Sequence, residues 1–229
     1  MTLEPQHIDE PRAYGRRTFL AVTGVGLSSL VWGQPLWRSL AGLRQPIVNA
    51  LPPALVPNGW RIYTVASSMP HFDPLTWRLR IDGLVGRPLA LSYADLLRLP
   101  RAEQVTTFHC VTGWSVKNVH WAGVRFRDLL AGASPAGDAS VLTFTSAERP
   151  YVDTLTLQQA QLPEVMLAYE MDGKPLRREH GAPVRVVIPE MYGYKNVKWV
   201  EQITLGRVAE LGYWEQRGYS TDAWVGSNG

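Results

Sequence analysis

The chain has 229 residues, 45% of them hydrophobic and 19% charged, with 20 glycines, 17 prolines and nine tryptophans. This is the profile of a folded globular protein and excludes disordered, collagen-like and coiled-coil chains. A formal charge of +3, from 23 Lys+Arg against 20 Asp+Glu, is too small to indicate nucleic acid as a partner, and a single cysteine excludes a disulfide framework and a zinc finger.

Gly15-Arg16-Arg17-Thr18-Phe19-Leu20 opens an uncharged, mostly apolar stretch that runs to Trp32. It is shorter than the roughly 20 residues that cross a bilayer and suits the apolar region of a signal. The paired arginines resemble a twin-arginine export signal, and Gly24 and Gly26 count against the alternative of a buried helix. The expectation for residues 1–33 is therefore a leader read by the twin-arginine export machinery. The protein would then be periplasmic or on the outer face of the cytoplasmic membrane. No small-residue cleavage site closely follows Trp32, so the leader is also a candidate membrane tether. This route carries folded proteins, which suggests a cofactor inserted before export. In residues 34–59, Pro46, Pro52, Pro53 and Pro57 interrupt every helical period and mark a linker, and the body is expected over 60–229.

Within the body, Trp77, Leu79 and Ile81 alternate with Arg78, Arg80 and Asp82 and predict a strand stopped by Gly83. Ser92 with Asp95 reads as a capped helix start, the helix ending before Pro100. Strands are expected at Val105–Cys110, Val141–Thr145, Val165–Met171, Val184–Ile188 and Trp199–Leu205. Short helices are expected at Phe126–Leu130 and from Leu155 to Leu162. Without a regular βαβ rhythm, α+β is the fold class that fits.

Three clusters carry chemistry. Cys110 ends a strand beside His109 and enters a glycine-containing loop. A lone cysteine is ordinarily a small buried hydrophobe, but at a loop in an exported protein its thiolate is a candidate nucleophile or soft-metal ligand. His109, His120 and His180 are all available partners for a cysteine hydrolase, and spacing does not choose among them. In His180-Gly181-Ala182-Pro183-Val184-Arg185, a guanidinium on an apolar strand needs an anion, either a ligand or one of Glu179 and Glu190. Gly193-Tyr194-Lys195-Asn196-Val197-Lys198, with its amides and two lysines, reads as an anion cradle or as a solvated turn.

Five segments in one order over roughly residues 60–222 resemble the sulfite oxidase family of molybdenum enzymes. They are Thr107-Phe108-His109-Cys110 through Leu130, Leu167-Ala168-Tyr169-Glu170-Met171-Asp172-Gly173-Lys174-Pro175-Leu176, His180 through Pro189, Gly193 through Trp199, and Trp214-Glu215-Gln216-Arg217-Gly218-Tyr219. The resemblance implies a single mixed α+β molybdopterin-binding domain behind the export leader, holding one molybdenum on a single pyranopterin. It implies Cys110 as the metal's thiolate ligand. His180, Arg185, Asn196, Val197 and Lys198, and more weakly Thr145, are implied as cofactor contacts. Tyr219 stands where the family keeps a tyrosine beside the metal, able to bond an oxygen ligand. Tyr63 to Met69 corresponds to the first cofactor loop, without a clear counterpart of the family's Asn.

The activity implied is oxygen-atom transfer, as sulfite oxidation or as reduction of a sulfoxide-type substrate. Where sulfite oxidases carry arginines after the ligand cysteine, this chain has Trp114 and Ser115, with Lys117 the nearest cation. An aromatic approach suits a neutral substrate, because an oxyanion wants fixed positive donors. The methionine-sulfoxide reductase branch has an aromatic-Ser pair close after its cysteine, whereas His180 and Leu167–Met171 lean to the sulfite oxidase side. The expectation is a protein without the second, immunoglobulin-like domain of many sulfite oxidases and without a haem domain. A monomer is expected, passing electrons to a separate cytochrome or membrane haem subunit. The alternative is a non-catalytic molybdopterin-binding module that has lost turnover.

Overall fold

The computed structural model describes residues 59–226, so the expected leader (1–33) and all but the last residue of the expected linker (34–59) lie outside the described residues. In chain order the elements are β1 (Arg78–Gly83), β2 (Leu89–Ser92), α1 (Tyr93–Leu97), β3 (Arg101–His109), β4 (Ser115–Arg125), α2 (Phe126–Ala133), β5 (Val141–Ser146), β6 (Val152–Thr156), α3 (Leu157–Ala160), β7 (Met166–Met171), β8 (Lys174–Pro175), β9 (Arg185–Val187) and β10 (Val200–Gly206). Short 3-10 turns occur at Arg178–His180 and Glu215–Arg217.

The strands form two sheets. The first runs β2-β1-β10-β5-β6 and contains one parallel pair, β1 with β10. The second runs β3-β4-β7-β8, with β9 also on β7, and is antiparallel throughout. Mixed sheets with a few short helices are the α+β arrangement expected. Leu79, Ile81, Phe126, Leu142, Phe144 and Ile203 are fully buried and anchor the main core, each contributing about 1.5–3 kcal/mol of apolar burial. A second cluster around Trp121, Met166 and Val187 lies under Trp60 and Phe108, and forms the floor beneath the site.

Local sequence accounts for several boundaries. The Ser92 hydroxyl accepts the Asp95 amide while the Asp95 carboxylate accepts the Ser92 amide, so α1 starts where its capping box places it. The helix expected from Leu155 begins instead at Leu157. Thr156 and Gln159 form a second capping box there, and Leu155 belongs to β6, which pairs with β5. The buried polar pair Asp153-Thr154 disguises β6 as a turn. The longest strand, β4, lacks an alternating pattern: Trp121, Ala122, Gly123 and Val124 are buried in succession, and register shifts fall at Thr106/Phe108 and Ala122/Gly123.

Candidate active site

Cys110 lies one residue past the end of β3, in a tight loop. Its amide donates to the Trp114 carbonyl at 2.9 Å, and the Gly113 amide returns to the Cys110 carbonyl at 3.1 Å. This turn directs Cys110, Val111, Thr112 and Trp114 into one cleft. The Cys110 sulfur is half-buried and 3.2 Å from the Thr112 hydroxyl.

More of the lining comes from the 3-10 turn at His180, strand β9 and the loop before β10. Gly181 has φ +104, and a Cβ there would stand 2.9 Å from Cβ of Lys198, so this close approach requires glycine. A Cβ on Gly193 would stand 2.3 Å from the Phe108 ring; with none present, the Gly193 amide reaches the His109 carbonyl at 2.7 Å. That bond ties the loop to the residue beside Cys110. Asn196 is pinned by its own side chain, whose Oδ1 accepts the Ile188 amide at 2.7 Å.

The cleft has a free space of about 970 Å³, its open mouth included, and it brings together Cys110, His180, Arg185, Asn196, Lys198 and Tyr219 from segments far apart in the chain. Two of the residues expected at the site are elsewhere. Thr145 sits on β5 between Gln202 and Val152, and the Val197 side chain is fully buried in the core; neither lines the cleft. Lys195 also turns away from the cradle read from the sequence, because its ammonium is buried against Asp153 and Glu215. Sequence reasoning passed over Trp60, Arg61 and Glu148, all of which line the cleft. Glu148 is buried and accepts the Val65 amide at 2.8 Å and the Thr64 hydroxyl, which fixes a loop that lines the same cleft as Cys110.

The cleft carries Glu148 and Glu179 as well as cations, but its cations and carboxylates do not all pair. Arg185 is buried, and among the described residues no carboxylate lies within ion-pair distance of it or of Lys198. The Arg185 guanidinium makes only long bonds to the carbonyls of Val186, His180 and Asn196, at 3.3–3.5 Å, and packs over Phe108 and Trp121. Neither Glu179 nor Glu190 pairs with it. Burial, and then the Arg185 charge, pushes the Lys198 ammonium down to about 7; its Nζ donates to the Tyr63 carbonyl at 2.7 Å. Burial also holds His180 down at about 3, with Arg185, Arg177 and Lys198 adding to the effect, so its imidazole is neutral at physiological pH. Its Nδ1 is buried without a hydrogen-bond partner among the described residues.

These features fit an anionic group that brings its own ligands. Arg185 has no carboxylate partner among the described residues, Lys198 would regain its full charge beside an anion, and the orphaned His180 nitrogen awaits a polar partner. Among the described residues no cluster of three His, Cys, Asp or Glu could hold a metal unaided, so a metal at Cys110 would need donors from a cofactor. Together with the two-sheet fold, this lining fits an anionic cofactor that carries its own metal donors, with the Cys110 thiol in the same cleft.

Comparison with known proteins gives the class its particulars. The oxidoreductase molybdopterin binding domain family matches residues 66–214. The oxidoreductase YuiH of Bacillus subtilis is 36% identical over 152 residues, covering 66% of this chain and 76% of that protein. The protein-methionine-sulfoxide reductase catalytic subunit MsrP of Campylobacter jejuni is 32% identical over 63% of this chain and 54% of its own length. Human mitochondrial sulfite oxidase is 34% identical over 66% of this chain and 33% of its own. The crystal structure of the sulfane dehydrogenase SoxCD of Paracoccus pantotrophus superposes with a TM-score of 0.61 at 27% identity, covering 71% of this chain and 46% of that one. The chain belongs to the oxidoreductase molybdopterin binding domain family, and its cofactor is Mo-molybdopterin. It spans only about half of MsrP and a third of sulfite oxidase.

Proposed function

We propose that this protein is an exported oxygen-atom-transfer enzyme that reduces a neutral sulfoxide-type small molecule, with Cys110 as the thiolate ligand of molybdenum. When bound, the cofactor supplies a molybdenum that exchanges one oxygen atom with substrate as its oxidation state changes by two electrons. In the overall reaction a sulfoxide takes up two electrons and two protons and gives the corresponding thioether and one water. The electrons arrive from a separate carrier such as a cytochrome or a membrane haem subunit. Export by the twin-arginine route rests on Arg16-Arg17 and the apolar stretch after them.

The observation that carries the reading is that Cys110 lines one cleft with Arg185 and Lys198. Arg185 and Lys198 would grip the phosphate of the cofactor, Arg185 with its planar fork, while neutral His180 and Asn196 would hold the pterin. Tyr219, whose ring packs on Trp214 and Tyr194, would donate its phenolic hydrogen to the oxygen being transferred. Beside Cys110 the loop presents Val111, Thr112 and Trp114 rather than cations, which favours a neutral substrate over an oxyanion. Arg61 also lines the cleft and favours a second reading, sulfite oxidation by the same site run in the opposite direction. MsrP and sulfite oxidase are both named for activities of this kind, which supports turnover over a module that only binds the cofactor.

The test is the protein produced together with molybdopterin-synthesising machinery. Molybdenum is measured, then turnover of methionine sulfoxide with a reduced dye and of sulfite with an oxidised one. Near-stoichiometric metal with faster sulfoxide turnover supports the proposal. Metal without turnover of either compound would return the chain to the binding-module reading.

A further inference from the structure

Lys195 lies in the loop that sends Asn196 and Lys198 into the cleft, yet its own side chain leaves in another direction. Its Nζ donates to Asp153 Oδ1 at 2.5 Å, to Glu215 Oε1 at 2.6 Å and to the Thr154 carbonyl at 2.8 Å, which uses all three ammonium hydrogens. The three charged side chains are at most 5% exposed. Glu215 in turn accepts the Gly212 amide at 2.8 Å through its second oxygen. Gly212 itself rests on the Asp153 carboxylate, where a Cβ would stand 2.7 Å away. The neighbouring residue Tyr194 holds the far end of the same segment, its hydroxyl donating to the Ser220 carbonyl at 2.8 Å. Between these two grips lies Tyr219, whose amide donates to Trp214 at 3.1 Å and whose ring packs on Trp214 and Tyr194.

We infer that Lys195, with Asp153 and Glu215, is a clamp that positions Tyr219 over the reacting atoms and couples that position to the cofactor loop. The inference rests on the reading that Tyr219 bonds the transferred oxygen. Two buried carboxylates around one ammonium are weak evidence of a stabilising device, because apolar residues of similar volume commonly serve stability as well or better. What the ionic tripod supplies is direction: it fixes where Glu215 stands, and the turn Glu215–Arg217 sets the start of Tyr219 four residues on. Lys195 is thus a positioning residue, reaching substrate only through Tyr219.

The test is a double-mutant cycle in the molybdenum-loaded enzyme with Lys195→Met, Tyr219→Phe and their combination, assayed with methionine sulfoxide and with sulfite. Each single change should lower kcat by roughly tenfold to a hundredfold at unchanged molybdenum content, and the double variant should be no slower than Tyr219→Phe alone. Independent, multiplicative losses would overturn the clamp. Amide hydrogen exchange supplies a readout free of activity: residues 212–220 should exchange at least about tenfold faster in Lys195→Met while β3 and β4 stay unchanged. Equal exchange across 212–220 would also overturn it. Glu215→Gln, which keeps the shape of the side chain, is run beside Lys195→Met with the same expectations, so that a poorly folding lysine variant does not remove the test. Should the wild type turn over neither compound, the functional reading fails, while the exchange data still decide the clamp.

Discussion

Glu148 accepts a hydrogen bond from the Val65 amide at 2.8 Å, across 83 positions of sequence. The same oxygen takes the Thr64 hydroxyl and, at 3.4 Å, the Ala66 amide. One buried carboxylate thereby holds the loop that carries Tyr63 over the cleft, and Tyr63 in turn offers its carbonyl to Lys198. The shape of the loop after Tyr63 is thus set from outside by a residue of the β5–β6 turn.

Replacing Glu148 with Ala leaves the Val65 amide without its acceptor and should cost about 1–3 kcal/mol of stability. The loop should loosen and the protein should lose molybdenum faster on dialysis. Urea unfolding gives the first quantity, and metal content against time gives the second. Glu148→Gln keeps an acceptor and should fall between the two.

Cys110→Ser removes the soft donor while leaving the backbone hydrogen bonds of Cys110 to Trp114 and Gly113, and a serine hydroxyl can still bond Thr112. The variant should fold with an unchanged melting temperature and lose turnover by several orders of magnitude. Calorimetry and steady-state assays together check this. Retained activity would exclude Cys110 as the metal's ligand.

Arg185 carries a buried charge that no carboxylate of the described residues neutralises, and burial holds its guanidinium down at about 10. It is still charged at pH 7, so the cofactor-free protein bears the desolvation cost. Arg185→Met should therefore leave the cofactor-free protein as stable as the wild type or more so. The same change should weaken cofactor retention roughly tenfold to a hundredfold, the worth of a charge-assisted phosphate bond. Opposite signs in the two states are the signature; a loss of stability in the cofactor-free state would show that Arg185 is structural.

His180 binds its proton in the fold only near pH 3, against about 6.5 in an unfolded chain. Between those values the unfolded state holds a proton that the folded state lacks, so this group makes stability fall as pH drops from about 6.5 toward 3. Asp153, pushed up to about 6 by burial, acts in the other direction and makes stability fall as pH rises between about 4 and 6. Comparing the cofactor-free wild type with His180→Gln cancels the Asp153 contribution. The variant should lose less stability between pH 7 and pH 4.5, by on the order of a few kcal/mol in urea unfolding.

How far the sequence foretold this site depends on what each residue does. Cys110, His180, Arg185, Asn196, Lys198 and Tyr219 stand in compact motifs and were legible; the fold then brings them together. Lys195 looked like a member of the same cradle because a loop places successive side chains in different directions, and only the buried Asp153 and Glu215 show which way it turns. Glu148 was illegible for a different reason: beside the Thr64 hydroxyl its partners are backbone amides of Val65 and Ala66, 83 and 82 positions away, and amides leave no mark in sequence. Strand β4 escaped because it is buried on both faces where it meets β7, which erases the period of two on which the reading of strands rests.

The choice between a neutral and an anionic substrate can be reversed at one exposed position. Val111 follows Cys110, lines the cleft and is 37% exposed, so Val111→Arg adds a cation at the mouth without disturbing the core. Two opposite unit charges about 4 Å apart attract by about 1 kcal/mol in water and about 4 kcal/mol at a partly screened protein surface. Part of this is lost to desolvation and side-chain ordering, and a gain of roughly tenfold in kcat/KM for sulfite is the expected remainder. Methionine sulfoxide, being neutral, should change by less than about threefold, and molybdenum content should not change. The gain for sulfite should also shrink as salt rises from about 10 to about 500 mM, because an exposed charge pair is screened. A salt-independent gain, or an equal gain for both compounds, would mean that Val111→Arg acts through the shape of the mouth rather than through its charge.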